Sequence, residues 1–107
     1  MAKLSAKEPF RRRRRPTSPG AILREFYLEP RHISVTAFAE AIGLSRKHVS
    51  RIVNGSAAIT PETAERFARV LGTTARFWLN LQIALDLYDA ELKLGSWKPK
   101  ALGSVAA

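Results

Sequence analysis

Between residues 18 and 92 the apolar positions recur every three or four residues, the spacing of one helix face, and they do so in five separate runs. Ser18-Pro19 opens the first with a capping hydroxyl and a proline at the first helical position, and Ile22, Leu23 and Phe26 repeat at helical spacing until Pro30. Ser34 caps the second, in which Val35, Phe38, Ala39 and Ile42 share a face, Thr36 and Glu40 point away, and Gly43 ends the run. Ser45 starts a third helix after a very short turn, and Asn54-Gly55, two residues tolerant of left-handed backbone, close it. Thr60-Pro61-Glu62 opens a fourth, with Ala64, Phe67, Ala68 and Leu71 as its inward stripe and Glu62–Arg66 and Glu65–Arg69 spaced as ion pairs on the outer side, before Gly72. Thr74 caps the fifth, which runs from about Ala75 to Leu92. The pattern predicts an all-α fold.

The fifth helix carries more apolar surface than one core needs. Phe77, Leu81, Ala84, Leu85 and Tyr88 lie along one face, and Leu79, Ile83, Leu87 and Ala90 add a second apolar side. That second side is either a dimer interface or a wall sunk in a larger core, and at the end of a small domain the dimer is the stronger expectation. Trp78 reads as core, since a tryptophan at this spacing packs more often than it contacts a cofactor.

The third run is unusual in its polar half. On a helical wheel Val49, Ile52 and Val53 fall within about 240–340°, whereas Arg46, Lys47, Ser50, Arg51 and Asn54 fall within about 0–140°, with His48 at the edge. One side packs on the domain. The other offers forked and single-point donors of the kind that read guanine, adenine and phosphate oxygens. Most charged helix faces are merely solvated, but here a preceding helix ending at Gly43, a tight turn and a donor-rich face coincide. Together they predict a helix-turn-helix whose second helix enters the DNA major groove.

Charge changes the picture at both ends of the chain. The formal net charge is +9, of which residues 1–18 contribute +6 and residues 93–107 contribute +3, while residues 19–92 balance to zero. Residues 1–18 combine the run Arg11, Arg12, Arg13, Arg14, Arg15 with prolines at positions 9 and 16 and another at Pro19, which predicts a basic arm without fixed structure. That run suits a DNA minor groove or phosphates, contact with a protein partner, or solubility alone. Residues 93–107 lose periodicity and read as a loose tail, in which Trp97 is either an unstructured leftover or a docking anchor. The expected division is therefore an arm at 1–18, a domain at 19–92 and a tail at 93–107.

Composition narrows the chemistry. The 107 residues include no cysteine, which removes disulfides, thiolate zinc sites and cysteine nucleophiles and suits a reducing cytoplasm. The N-terminus lacks the apolar run of a signal peptide and no stretch reaches the roughly 18 apolar residues of a membrane span, so no membrane association is expected. His32 and His48 stand apart from any metal-ligand spacing, no catalytic arrangement of serine or carboxylates is visible, and no glycine-rich phosphate loop occurs. No metal, cofactor or catalytic residue is expected, and a non-enzymatic binding protein is the prediction. RNA binding through the arginine run would want aromatic stacking residues nearby, and they are missing.

From Pro19 to Glu91 the phrases PGAILREFYLEP, SVTAFAEAIGLSRKHVSRIVNG, AITPETAERFARVLG and FWLNLQIALDLYDAE resemble, in order, the HigA-type antitoxins of the Xre or phage-repressor helix-turn-helix superfamily. The chain departs from that pattern at Ala21, Phe38 and Thr74-Ala75-Arg76. The resemblance implies a five-helix fold like that of lambda repressor, a homodimer, and binding to double-stranded DNA at a palindromic operator in its own promoter. It also implies neutralisation of a HigB-type toxin, an mRNA-cleaving ribonuclease, in a prokaryotic cytoplasm. Carried over by position, Arg46, Lys47 and Arg51 match base-reading places with Ser50 beside them, Thr36 and Ser45 match phosphate-contacting hydroxyls, and Asn54 matches a helix-end residue. Alternatives that keep the fold are a stand-alone repressor without a toxin and a module used chiefly for protein interaction.

Overall fold

The structure, a computed structural model, describes residues 14–103. Helix α1 (Pro19–Ile22) passes without a break into a π-helical turn (Leu23–Leu28) and a 3-10 turn (Glu29–Arg31). It is followed by α2 (Val35–Ile42), α3 (Arg46–Val53), α4 (Pro61–Leu71) and α5 (Ala75–Leu94). The five-helix, all-α expectation holds.

Each helix starts where the sequence places a hydroxyl. Ser18, Ser34, Ser45, Thr60 and Thr74 accept the backbone N–H of Ala21, Ala37, His48, Thr63 and Phe77 in turn, each supplying an acceptor that the first helical turn lacks. Gly43 and Gly72 end α2 and α4 at φ 74, a left-handed backbone that a side chain would strain. At the end of α3 only Gly55 takes positive φ, and Asn54 stays right-handed.

The first helix departs from its predicted register. Helical spacing from Ile22 and Leu23 would turn Phe26 inward, yet Phe26 is 65% exposed and the buried pair is Leu23 and Leu28, five residues apart. Pro30 supplies the reason. It has no N–H to give and its ring would press on the Phe26 carbonyl in a regular helix, and the widened turn ahead of it relieves that conflict. The run ends at His32, whose φ of 55 reverses the chain toward α2.

The core is a column of rings between the helices. Phe38 of α2, Phe67 of α4 and Trp78 of α5 meet edge to face with centroids 5.2 Å apart at both steps, and Tyr27 leans on Trp78 at 5.5 Å. Trp78 is fully buried and its indole N–H donates to the Thr73 hydroxyl at 2.7 Å. Leu23, Val49 and Ile52 complete the centre.

Trp78 also sets the rotation of α5. Leu85 of the expected face is buried and Leu81 packs against the core, but Trp78 and Gln82 turn inward beside Leu85, so the fully buried side is centred about 80° from the expected one, and Phe77, expected inside, is 38% exposed. An apolar pattern could not reveal Gln82 as an inward residue. Its carbonyl accepts the buried Ile59 N–H at 2.9 Å and its amide donates to Asp86, so a polar side chain satisfies a backbone donor that the loop before α4 would otherwise strand. The helix also continues to Leu94, two residues past the expected end.

Candidate nucleic-acid interface

Two contacts hold α3 against the domain so that its polar side faces outward. From below, Gly20 of α1 lies against the backbone at Ile52 and Val53, so close that a Cβ there would stand 1.8 Å from the Ile52 carbonyl oxygen. From the side, the turn between α2 and α3 is gripped by Arg66 of α4, which donates to the carbonyls of Ile42 at 2.7 Å and Gly43 at 3.4 Å while its remaining donors pair with Glu62. The spacing of Glu62 and Arg66 predicted their ion pair, and it forms, as does Glu65 with Arg69. It did not reveal that Arg66 also caps the end of α2, because that partner is 24 residues away.

Val49, Ile52 and Val53 are buried, and Arg46, Lys47, Arg51 and Asn54 are exposed, with His48 and Ser50 at the margins. Among the described residues none of Arg46, Lys47 or Arg51 is paired with a carboxylate. Arg46 and Lys47 also occupy the first turn of α3, where the helix dipole disfavours cations by about 0.3–1 kcal/mol each. Folding alone gains nothing from that placement. A polyanion does.

Arg46 is already oriented. Its Nε donates to the Thr36 hydroxyl on the first turn of α2 at 3.0 Å, which among the described residues leaves both terminal nitrogens of the guanidinium free as a two-pronged donor. Two parallel donors of this spacing match the O6 and N7 edge of guanine in the major groove. Ser45 uses its oxygen to accept the His48 N–H at 3.1 Å, so its hydroxyl hydrogen remains free to give. Past Val53 the loop folds back, with the backbone N–H groups of Ser56 and Ala57 on the Arg51 carbonyl at 2.9 and 3.2 Å.

A family profile for helix-turn-helix domains matches residues 23–78. The chain belongs to the helix-turn-helix family. Among its helix-turn-helix relatives, antitoxin HigA-1 of Vibrio cholerae is 46% identical over 77 residues, 72% of each chain. An HTH-type transcriptional regulator of Haemophilus influenzae is 46% identical over 78 residues, 73% of each chain. Solved helix-turn-helix structures agree. Pseudomonas aeruginosa antitoxin HigA with the higBA promoter matches at TM-score 0.76 and 35% identity over 82% of this chain and 99% of that one. Antitoxin GraA in complex with its operator matches at TM-score 0.73 and 34% identity over 87% and 99%. The HigA-type resemblance of the sequence is thus upheld, and the relatives named are regulators and antitoxins rather than enzymes.

Of the predicted residues, Thr36 and Arg46 are joined by a hydrogen bond, Ser45 caps α3, Lys47 lies in its first turn, half-buried Ser50 in its middle and Arg51 in its last turn. The predicted second face of α5 is also largely open: Ile83 is 52% and Leu87 60% exposed, Ala90 is exposed, and Leu79 is half-buried against the core. Of the arginine run, Arg11, Arg12 and Arg13 lie outside the described residues. Arg14 is exposed, and Arg15 makes a two-pronged pair with Asp89 of α5 at 2.9 and 2.8 Å. That hydrogen-bonded pair raises the Arg15 pKa and lowers that of Asp89. Because the Asp89 pKa is depressed by folding, whatever the pair contributes is present at neutral pH and is lost as pH falls through the lowered value. Nothing in the sequence marked Asp89 as the partner of Arg15, since 74 residues separate them. None of the described helices is long and apolar enough to cross a membrane.

Proposed function

We propose that this chain is a cytoplasmic antitoxin of a type II toxin–antitoxin pair: a homodimer that binds a palindromic operator in double-stranded DNA, represses its own operon and neutralises a HigB-type mRNA-cleaving toxin. One observation carries the DNA arm of this reading. The outward side of α3 presents three cations without carboxylate partners among the described residues, and Thr36 holds one of them as a free guanidinium fork. The relatives bound to promoter and operator DNA support it. In this reading Arg46, Lys47 and Arg51 read bases with Ser50 beside them, Thr36 and Ser45 take phosphates, and Arg11 to Arg15 form the basic arm of a chain divided at residues 18 and 92.

Arg46→Ala should cost about 1–3 kcal/mol of affinity at the cognate site and relax the preference at one base pair per half-site, measured by binding to a set of single-substitution operators. Equal losses on operator and random duplex would remove Arg46 from the reading role. The dimer rests on Leu79, Ile83, Leu87 and Ala90, which with Leu94 form a stripe within about 80° of the α5 circumference. Paired along it, two α3 helices could reach successive major grooves about 34 Å apart. Sedimentation at micromolar concentration should give twice the 11.9 kDa chain mass. A monomer there would separate the stripe from self-association.

A second reading keeps the DNA contact and omits the toxin, and the Haemophilus influenzae relative, named as a transcriptional regulator, supports it. The two differ in one test. The antitoxin reading requires that an adjacent gene encode a small ribonuclease and that the chain, mixed with it, stop that enzyme from cleaving mRNA.

A further inference from the structure

After Glu91 the chain has no acidic residue, and Lys93, Lys98 and Lys100 fall within eight positions around Trp97. Trp97 is not folded away. It is 64% exposed, although its backbone is fixed by an N–H bond to the Leu94 carbonyl at 2.8 Å just beyond the closed end of α5. Pro99 between the two last lysines stops the helix from resuming and favours an extended course.

The fold sets the helix that carries this segment beside the loop that follows α3. Arg15, Gly55, Ser56, Asp86 and Asp89 line one shallow cleft, so the C-terminal half of α5 lies beside the loop that follows α3. From Asp89 the helix runs on by roughly 7–8 Å to Leu94, and after the turn at Gly95 and Ser96 the four residues to Lys100 add up to about 14 Å when extended. Of the two carboxylates at the root of the segment, Asp89 is paired with Arg15 and Glu91 is exposed.

We propose that residues 93–100 form a second contact with the duplex held by α3, with Lys93, Lys98 and Lys100 on phosphates of the flanking backbone and the Trp97 ring against the groove between them. The inference rests on the DNA reading above and extends it to a segment that the helix-turn-helix match at residues 23–78 does not cover. Its occupant is DNA because the segment carries three cations and no carboxylate and the helix it extends lies beside the loop that follows α3. An apolar partner seated on the α5 stripe would lie on the Ile83 and Leu87 side instead.

The chain carries its own probe, since of its two tryptophans Trp78 is fully buried and Trp97 is exposed. The intact chain is titrated with a duplex of about three helical turns, selected by the chain itself from a randomised pool. Trp97→Phe supplies the Trp78-only spectrum. Saturation should quench or shift the Trp97 emission and shield it from acrylamide. Changing Lys93, Lys98 and Lys100 together to Gln should make the slope of log K against log salt shallower by about 0.9 for each phosphate that no longer meets a lysine, about 2.7 per chain for all three. An unchanged Trp97 signal at saturation, or an unchanged slope, overturns the second contact while specific binding by the intact chain leaves the α3 reading standing. A Trp97 response only to a protein partner also overturns it. Failure of the intact chain to select any duplex overturns both.

Discussion

Gly20→Ala should destabilise the protein by about 3 kcal/mol, at the upper end of overpacking costs, although alanine is the better helix former by about 1 kcal/mol. The sign is reversed by geometry. A Cβ at position 20 would stand 1.8 Å from the Ile52 carbonyl oxygen, 2.6 Å from its carbon and 2.8 Å from the Val53 Cα. All three are backbone atoms, so no rotamer change can make room, and α1 must separate from α3 along the contact that supports the reading helix. Urea unfolding should show the midpoint fall by about 1–3 M with little change in slope. Because the displaced element is α3, operator affinity should fall in the surviving folded fraction too, even though Gly20 faces away from DNA. A variant as stable as the parent would mean that α1 and α3 do not approach as described.

The largest loss from a side-chain truncation is expected at Trp78. Trp78→Ala removes a fully buried indole that touches Phe67 at 5.2 Å, Tyr27 at 5.5 Å and Phe77 at 5.0 Å, and it strips the Thr73 hydroxyl of its donor. Large aromatic truncations in a core cost about 3–5 kcal/mol, and a domain of this size has about 5–15 kcal/mol in total. Calorimetry or urea unfolding should therefore find the variant marginal. Trp78→Phe retains the edge-to-face stack and gives up the hydrogen bond, and its cost should be the smaller by a wide margin. A loss of under about 1 kcal/mol for the alanine variant would show that the ring column does not organise the core.

Both changes lie where the sequence is partly legible and partly mute. Trp78 could be read as core from its place in an apolar helix, and Gly20 could be read only as a poor helix residue near a start signal. What singles Gly20 out is the passage of the Ile52 backbone over it, an encounter between segments 32 positions apart that no local pattern encodes. The polar face of α3 was more accessible. Its amphipathic split separates Val49, Ile52 and Val53 from Arg46, Lys47 and Arg51 within eight residues, and the buried and exposed sides follow it. The bond from Arg46 to Thr36 was not, since both residues could be assigned to a DNA-facing group without any sign that one orients the other.

Features governed by neighbours a few residues apart were settled along the chain: all five capping hydroxyls, the glycine stops, the tight turn between α2 and α3, and the side of α3 that stays polar. Such features depend on hydrogen bonds and backbone angles that close within one helical turn. Three others departed from the helical spacing, the first through the local conflict at Pro30 and the other two through distant partners. The first helix widened ahead of Pro30 and turned Phe26 outward, α5 rotated by about 80° to seat Trp78 and Gln82, and Arg66 and Asp89 found roles on remote elements. When a helix such as α5 is apolar on more than one side, hydrophobicity alone is nearly indifferent to its rotation, and only the cavity and the unpaired Ile59 N–H presented by the rest of the fold select one face.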